Sequence, residues 1–349
     1  MTHGGDIYSF EKETGIIPLD FSENTNPLGL PTSVKRAIIN SVETFCAYPD
    51  LNCTDLTIAT ALFYDVSPTH LLFGNGAADL IFKIAYCLKP KKAIVLAPTF
   101  SEYEIALKNA GADVDYYYLS ENFQISDDIL DIVENKVVFI CNPNNPTGTL
   151  CDTTLLKKIA QKAQYLIIDE CFMDFVCNSD KYSLLSEINN YPNIIILKAF
   201  TKIFSMAGLR LGFCVSSNVE LLHNINSQGQ PWSVSTVAQV AGIACFEESD
   251  FVSKTQKLIL TERSYLQNEL NILGFEVYQS STNYILFKTP IELQKSLKSF
   301  GIMIRLCSNY IGLNDNYYRI AVRSHEENLR LINTLNIIVK NDKKLSTQN

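Results

Sequence analysis

Short apolar segments alternate with helix-like stretches along most of this sequence from about Leu71 onward. Strands that are apolar on both faces and are separated by helices are typical of a mostly parallel sheet. The sequence therefore predicts an α/β fold in which the loops after the strands carry the functional groups. The clearest of these segments lie at 92–96, 137–141, 165–168, 194–197 and 211–215.

The 349 residues leave room for a second, smaller domain. Helical periodicity over 246–273 precedes strand-like segments at 275–278, 284–287 and 318–322. Proline and glycine interrupt the first 30 residues, which predicts an extended arm before a helix at 32–42. We predict four parts: the arm with part of the small domain at 1–30, a large domain at 31–245, a small α+β domain at 246–340, and a disordered tail at 341–349.

Composition excludes several classes of protein. The 29 basic residues do not balance the 37 acidic ones, and the net charge of −8 argues against nucleic-acid binding. No apolar stretch approaches the roughly 20 residues of a membrane helix, and no signal-peptide pattern opens the chain, so we expect a cytoplasmic protein. The ten cysteines are scattered along the chain without a C-x-x-C motif, so we expect free thiols. The four histidines are widely separated in the sequence, so we expect no metal site.

A glycine-containing turn, Gly74-Asn75-Gly76-Ala77, follows the apolar run 71–73 and precedes a predicted helix at 79–88. Backbone amides at a helix N-terminus bind phosphate, and small residues let the phosphate approach. A plain turn into a helix explains this motif equally well.

Polar residues follow the next predicted strands as well. The segment Cys141-Asn142-Pro143-Asn144-Asn145-Pro146-Thr147-Gly148 places an asparagine amide at the carboxyl edge of the sheet, where α/β proteins bind ligands. Asp169 ends the strand at 165–168, and a buried carboxylate there needs a cationic partner.

Lys202 follows the strand at 194–197, with Thr201 beside it and Arg210 eight residues later. A lysine in a dry crevice loses its charge and becomes a nucleophile that bonds to an aldehyde. Together the four signals describe a site for pyridoxal phosphate: Lys202 bonds the cofactor, Asp169 keeps its pyridine nitrogen protonated, and Asn145 bonds the ring oxygen. Further cofactor contacts are expected from Gly76, Ala77, Thr201 and Arg210 to the phosphate, and from Phe100 to the ring face.

The ordered series GNGA, APTF, NPNNPTG, IIDE, TK and GLRLGF resembles fold type I pyridoxal-phosphate enzymes of the aspartate aminotransferase superfamily. The resemblance extends from about residue 19 to 333. Within that superfamily the chain is similar to histidinol-phosphate aminotransferases and, more closely, to L-threonine-O-3-phosphate decarboxylases. The closer similarity rests on 3–5, 20–29, 305–310 and 318–323, and on Phe172, where the aminotransferases usually carry tyrosine.

The resemblance implies roles for further residues. Tyr48 would contact the cofactor phosphate of a neighbouring subunit, which implies a homodimer with shared active sites. Arg319 would bind the substrate carboxylate. Candidates for the substrate's own phosphate are His3 with Gly4, Asn26, Arg305 and Arg323. Ala199 stands where the family often has a serine, which predicts weaker cofactor retention.

The implied reaction is decarboxylation of L-threonine phosphate to 1-amino-2-propanol phosphate, which this family supplies to the nucleotide loop of cobalamin. A histidinol-phosphate-type aminotransferase would use the same residues, and phosphoserine or a phosphonic amino acid is an alternative decarboxylase substrate. A regulator that keeps the fold without catalysis is a fourth possibility, but the presence of Lys202, Asp169, Asn145 and Arg210 argues against it.

Overall fold

The computed structural model describes residues 3–346, with side chains as far as residue 344. Its strands are β1 Leu19–Asp20, β2 Leu71–Gly74, β3 Lys92–Ala97, β4 Asp113–Tyr118, β5 Val137–Cys141, β6 Tyr165–Asp169, β7 Ile194–Ala199, β8 Gly212–Val215, β9 Glu276–Val277, β10 Tyr284–Lys288, β11 Ile302–Met303, β12 Arg305–Leu306 and β13 Tyr317–Ala321. Its α-helices are α1 Ile7–Thr14, α2 Thr32–Asn40, α3 Thr54–Tyr64, α4 Gly76–Leu88, α5 Glu102–Asn109, α6 Thr153–Lys162, α7 Phe200–Ile203, α8 Val219–Asn226, α9 Thr236–Ala244, α10 Phe251–Ile272, α11 Leu293–Lys298 and α12 His325–Ser346.

A seven-stranded sheet forms the centre of the molecule, in the order β2-β8-β7-β6-β5-β3-β4. β8 runs antiparallel to both neighbours, and the other pairings are parallel, which confirms the predicted mostly parallel sheet. Residues alternate between two apolar layers: in β5, Val138 and Ile140 face one layer, and Val137 and Phe139 face the other. Both faces of the sheet are therefore covered.

The edge strand β4 is missing from the sequence prediction. Its sequence DVDYYY is partly exposed, with acidic residues at alternate positions, so it lacks the continuous apolar run of a central strand. An edge strand has a neighbouring strand on one side only and is partly accessible to solvent. Its sequence therefore lacks the continuous apolar run by which the central strands were predicted.

A four-stranded antiparallel sheet, in the order β12-β13-β10-β9, lies in the carboxyl-terminal part of the chain. β1 pairs in parallel with β11, with Leu19 opposite Ile302 and Asp20 opposite Met303. This pairing attaches the amino-terminal segment to the carboxyl-terminal part of the protein.

The prediction of an extended arm over the first 30 residues is wrong for α1. The side chain of Asp6 accepts a hydrogen bond from the backbone nitrogen of Ser9, and Gly15 ends the helix in the left-handed conformation with φ 72°. These two caps satisfy helix-end groups. The caps, rather than a long apolar stripe, define this short helix.

The prediction of a disordered tail is wrong for residues 341–346, because α12 continues to Ser346. Residues 347–349 lie outside the described part of the chain. Ser324 and Glu327 cap the start of α12 reciprocally, with a distance of 3.1 Å from the Ser324 nitrogen to Glu327 Oε2. Buried apolar residues at helical spacing hold the helix against the core up to Val339. The last two turns of α12 therefore continue a helix whose earlier turns are packed against the core.

None of the helices within residues 3–346 is long and apolar enough to cross a membrane.

Gly212 provides a test of the packing between β8 and the start of α4. A Cβ at residue 212 would lie 2.5 Å from the Ala77 nitrogen and 2.8 Å from the Gly76 carbonyl carbon, whereas a Cβ at Gly208 meets nothing within 4 Å. We expect Gly212→Ala to lower the free energy of unfolding by about 1–3 kcal/mol, because two backbone segments must separate. Gly208→Ala is the matched control. Urea denaturation checks both, and equal midpoints for the two variants would contradict this packing.

Candidate active site

A cavity of about 330 Å³ lies at the carboxyl ends of the parallel strands of the seven-stranded sheet. The predicted cofactor residues that line it are Ala77, Phe100, Asn145, Asp169, Thr201, Lys202 and Arg210. The predicted substrate residues that line it are His3, Gly4, Arg305 and Arg319. The fold therefore brings residues that are distant in sequence to one place.

Asp169 ends β6 with a buried carboxylate whose two oxygens both accept hydrogen bonds. The Tyr103 hydroxyl donates to Oδ2 at 2.6 Å, and the backbone nitrogen of Cys171 donates to Oδ1 at 2.9 Å. Tyr103 is fully buried and lies edge-on to Phe100, with 5.6 Å between ring centroids. These contacts fix the orientation of the carboxylate in the cavity.

Asn145 is held by two donors from the carboxyl-terminal part of the chain. Arg319 Nη1 donates to Asn145 Oδ1 at 2.5 Å, and the Tyr310 hydroxyl donates to the same oxygen at 3.4 Å. The neighbouring Asn144 carbonyl accepts a hydrogen bond from the Tyr284 hydroxyl at 2.8 Å. With Oδ1 engaged in this way, Nδ2 is the group that the Asn145 amide offers as a donor.

Lys202 lies in α7, directly after β7, and its side chain borders the cavity. Burial, and then the positive charge of Arg319, lower the pKa of Lys202, while the charge of Glu23 opposes them. Lys202 Nζ lies 5.9 Å from the centroid of the Phe172 ring. The site therefore favours the neutral, nucleophilic amine more than water does.

Gly76, at the start of α4, and Arg210 form a cradle that fits a phosphate group. Gly76 has a φ of +79°, and a Cβ there would lie 2.5 Å from Arg210 Nη2. Only glycine leaves room for this close approach of the guanidinium to the helix N-terminus, where backbone amides attract anions. Thr201 and Ala199 line the same cavity, and the weaker cofactor retention expected from the missing serine hydroxyl at 199 stays a prediction.

The amino-terminal segment and two buried arginines form another part of the cavity wall. His3 Nε2 lies 3.0 Å from Glu102 Oε1, and Gly4 packs so closely on the Ser22 carbonyl that no side chain fits at residue 4. Arg305 Nη2 donates to Asn309 Oδ1 at 2.6 Å. Arg319 Nη2 donates to the Ser22 carbonyl at 2.6 Å, and its buried Nε has no hydrogen-bond partner among the described residues.

Three predicted residues lie away from this cavity in the single chain. Asn26 Nδ2 donates to the Ile203 carbonyl and to Thr255 Oγ1, both at 2.7 Å. Asn26 therefore stabilises α7, the helix that carries Lys202. Arg323 pairs with Glu327 through Nε and Nη2 at 3.0 and 2.9 Å. Tyr48 is 81% exposed. The expectation that Asn26 and Arg323 face the substrate cavity is therefore corrected.

Four residues at the site were not singled out from the sequence: Tyr103, Tyr310, Glu23 and Asn24. Asn24, rather than Asn26, is the asparagine of this segment that lines the cavity, and its buried Oδ1 has no partner among the described residues. Both asparagines lie in one irregular segment, which has no periodicity. The sequence therefore does not predict which of the two faces the cavity. Tyr103 and Tyr310 are indistinguishable in sequence from core tyrosines.

A second charged cluster lies beside the site. Glu170 follows Asp169 but does not line the cavity, and its Oε2 lies 3.7 Å from Lys198 Nζ. Lys198 Nζ also lies 3.1 Å from Asp174 Oδ1. Burial raises the pKa of Glu170 to about 7, against the opposing charge of Lys198.

Comparisons with known proteins agree with this geometry. The family model "Aminotransferase class I and II" matches residues 16–335. Threonine-phosphate decarboxylase of Salmonella typhimurium is 36% identical over 348 residues, covering 95% of each chain. The crystal structure of histidinol-phosphate aminotransferase from Clostridium acetobutylicum is 31% identical, with a TM-score of 0.86, and covers 92% of this chain and 99% of that one.

A histidinol-phosphate aminotransferase from Sinorhizobium meliloti, solved in complex with pyridoxal-5'-phosphate, shares the fold with a TM-score of 0.89 at 19% identity. It covers 97% of this chain and 95% of that one. On the extent of the family match and the fit of the cradle, the chain belongs to the aminotransferase class I and II family and is an enzyme that uses pyridoxal phosphate.

Proposed function

We propose that this protein decarboxylates a phosphorylated amino acid, L-threonine phosphate before others. The observation that carries the proposal is the amino-terminal segment: His3 and Gly4, which resemble the decarboxylase group, line the cavity beside Arg305 and Arg319. The 36% identity to a threonine-phosphate decarboxylase supports the same substrate class. A place in cobalamin synthesis is part of this proposal.

The charges suit a substrate with two anionic groups. Arg319, whose buried Nε has no acceptor within the part of the chain that the structure describes, is proposed to bind the carboxylate. His3 and Arg305, which line the same cavity, are proposed to bind the phosphate. Charge-assisted hydrogen bonds from guanidinium groups are strong and directional, so they hold the substrate in one orientation.

The cofactor, when bound, supplies an aldehyde that bonds the substrate amine and a ring that accepts the electron pair left by bond cleavage. Asp169 is proposed to hold the proton at the pyridine nitrogen, and Asn145 Nδ2 to donate to the ring oxygen. Gly76, Ala77, Thr201 and Arg210 are proposed to hold its phosphate, and Phe100 its ring. Lys202 is proposed to return a proton to Cα of the substrate after carbon dioxide leaves.

Histidinol-phosphate-type amino transfer is the second candidate, favoured by the similarity to the aminotransferase from Clostridium acetobutylicum. Both reactions use Lys202 and Asp169, and they differ in which bond at Cα stands perpendicular to the ring. Phe172, which is buried against Tyr284, lacks the hydroxyl that the aminotransferases usually carry at this position and in this respect resembles the decarboxylase group.

A homodimer with shared sites is also part of the proposal. Tyr48 stacks on Trp232 at the surface, with 4.7 Å between the ring centroids, and belongs to an exposed apolar surface with Val42, Phe45 and Leu51. Such a surface on a folded chain is typical of an interface. Tyr48 would then reach the cofactor phosphate of the partner.

The first test is to incubate the holoenzyme with L-threonine phosphate and to measure carbon dioxide and 1-amino-2-propanol phosphate. Amino transfer from histidinol phosphate to 2-oxoglutarate is measured in parallel. We expect the first reaction to be faster, and Lys202→Ala to abolish it. Amino transfer without carbon dioxide would establish the second candidate instead.

Arg319→Gln tests the electrostatic control of Lys202. Loss of this positive charge stabilises the ammonium form, so we expect the pKa of Lys202 to rise and cofactor bonding to require higher pH. The measurement is the rate at which cofactor-free protein regains the visible absorbance of bound pyridoxal phosphate, as a function of pH. Arg305→Gln, which removes another cationic group from the same cavity, is the control. A pH dependence of cofactor binding that is displaced toward lower pH in Arg319→Gln would contradict the proposal that Arg319 lowers the pKa of Lys202.

Tyr48→Ala tests the shared site. We expect the variant to bind pyridoxal phosphate about tenfold more weakly, because one hydrogen bond to a charged group is lost. Tyr8→Ala is the control, since Tyr8 is 79% exposed and Tyr48 81%. Spectroscopic titration gives the affinities, and light scattering gives the mass of the wild type. A monomeric wild-type protein, or equal affinities for the two variants, would disprove the shared site.

A further inference from the structure

Glu23 brings a carboxylate into a cavity that otherwise meets its ligand with cationic side chains. It is half-buried and lines the wall between Ser22 and Asn24. Its Oε1 accepts a hydrogen bond from Thr25 Oγ1 at 3.2 Å, and its Oε2 lies 3.3 Å from the position of a Cβ at Gly5. The proposed binding of cofactor, carboxylate and phosphate makes no use of this side chain.

Glu23 and Lys202 line the same cavity. The negative charge of Glu23 raises the pKa of Lys202 against the effects of burial and of Arg319, so the two groups are within electrostatic reach. An anionic group there repels the phosphate and the carboxylate of a substrate. It attracts the one cationic group that an amino acid carries.

We propose that Glu23 binds the α-ammonium group of the incoming substrate and directs it toward Lys202. The inference rests on the proposed function, since it takes the substrate to be a phosphorylated amine. Arg319 and Arg305, which line the same cavity, are proposed to bind the anionic groups. Glu23 is thereby a specificity-determining residue that favours an amine over the hydroxyl compound of the same shape.

Three small ligands test the proposed role of Glu23 separately from the proposed function, in binding experiments with the holoenzyme. Phosphoethanolamine carries an amine and a phosphate, 2-hydroxyethyl phosphate replaces the amine by a hydroxyl, and ethanolamine lacks the phosphate. None has a carboxylate to lose, so calorimetry measures binding without decarboxylation. Phosphoethanolamine against ethanolamine tests phosphate recognition. The change in the preference for phosphoethanolamine over 2-hydroxyethyl phosphate between wild type and Glu23→Gln tests Glu23, because the amine can bond to the cofactor aldehyde in both proteins.

We expect Glu23→Gln to weaken phosphoethanolamine binding about tenfold, the loss expected for one hydrogen-bonded charge pair. The same variant should bind 2-hydroxyethyl phosphate at least as well as the wild type, because a repelling charge is removed. Glu23→Asp, which keeps the charge, should retain part of the amine preference. Glu121→Gln makes the same charge change at an exposed turn outside the cavity wall and should change neither affinity.

An unchanged amine preference in Glu23→Gln would overturn the inference, and so would equal weakening of both phosphate esters. A wild-type enzyme that binds ethanolamine as tightly as phosphoethanolamine would instead contradict the proposed function. The two failures are therefore distinguishable within one set of titrations.

Discussion

The register of the central sheet is the constraint on which the site depends. Cys141 of β5 lies opposite Asp169 of β6, so these two strands end at one level, and Asp169 lies opposite Leu197, two residues before the end of β7. Asp169 lines the cavity, and Glu170 is paired with Lys198 outside it. A slip of one residue in β6 would exchange the two carboxylates, because neighbouring strand residues face opposite sides. The buried partner of Glu170 therefore helps to specify which acid enters the site.

Arg319 connects the two parts of the chain electrostatically as well as by hydrogen bonds. It lies on β13 of the small sheet, yet it contacts Asn145 of the large sheet's loop and lowers the pKa of Lys202. A carboxylate bound to Arg319 would offset that charge and raise the proton affinity of Lys202. The arginine proposed to bind the substrate carboxylate and the lysine proposed to carry the proton are thus coupled electrostatically, and burial strengthens that coupling.

Much of the fold follows from the sequence, because buried parallel strands leave continuous apolar runs such as 194–197 in β7. Asp169, Asn145 and Lys202 were found because each ends or follows such a run, and Arg210 was found because it lies eight residues after Lys202. The polar edge strand β4 and the helix α1, which depends on its caps, left no comparable pattern. The choice between Asn24 and Asn26 depends on the path of an irregular segment, and the pairing of Arg323 with Glu327 depends on the start of α12. Both contacts depend on tertiary packing, which leaves no local pattern in the sequence.

The stacking of Trp232 on Tyr48 has an optical consequence. Trp232 is the sole tryptophan of the chain, and it is 45% exposed beside a ring 4.7 Å away. Its emission therefore originates from one point on the surface, next to the residue proposed to reach a second subunit. Burial of that point on association would shift the emission toward shorter wavelengths, so the unmodified protein carries its own fluorophore for following assembly at high dilution.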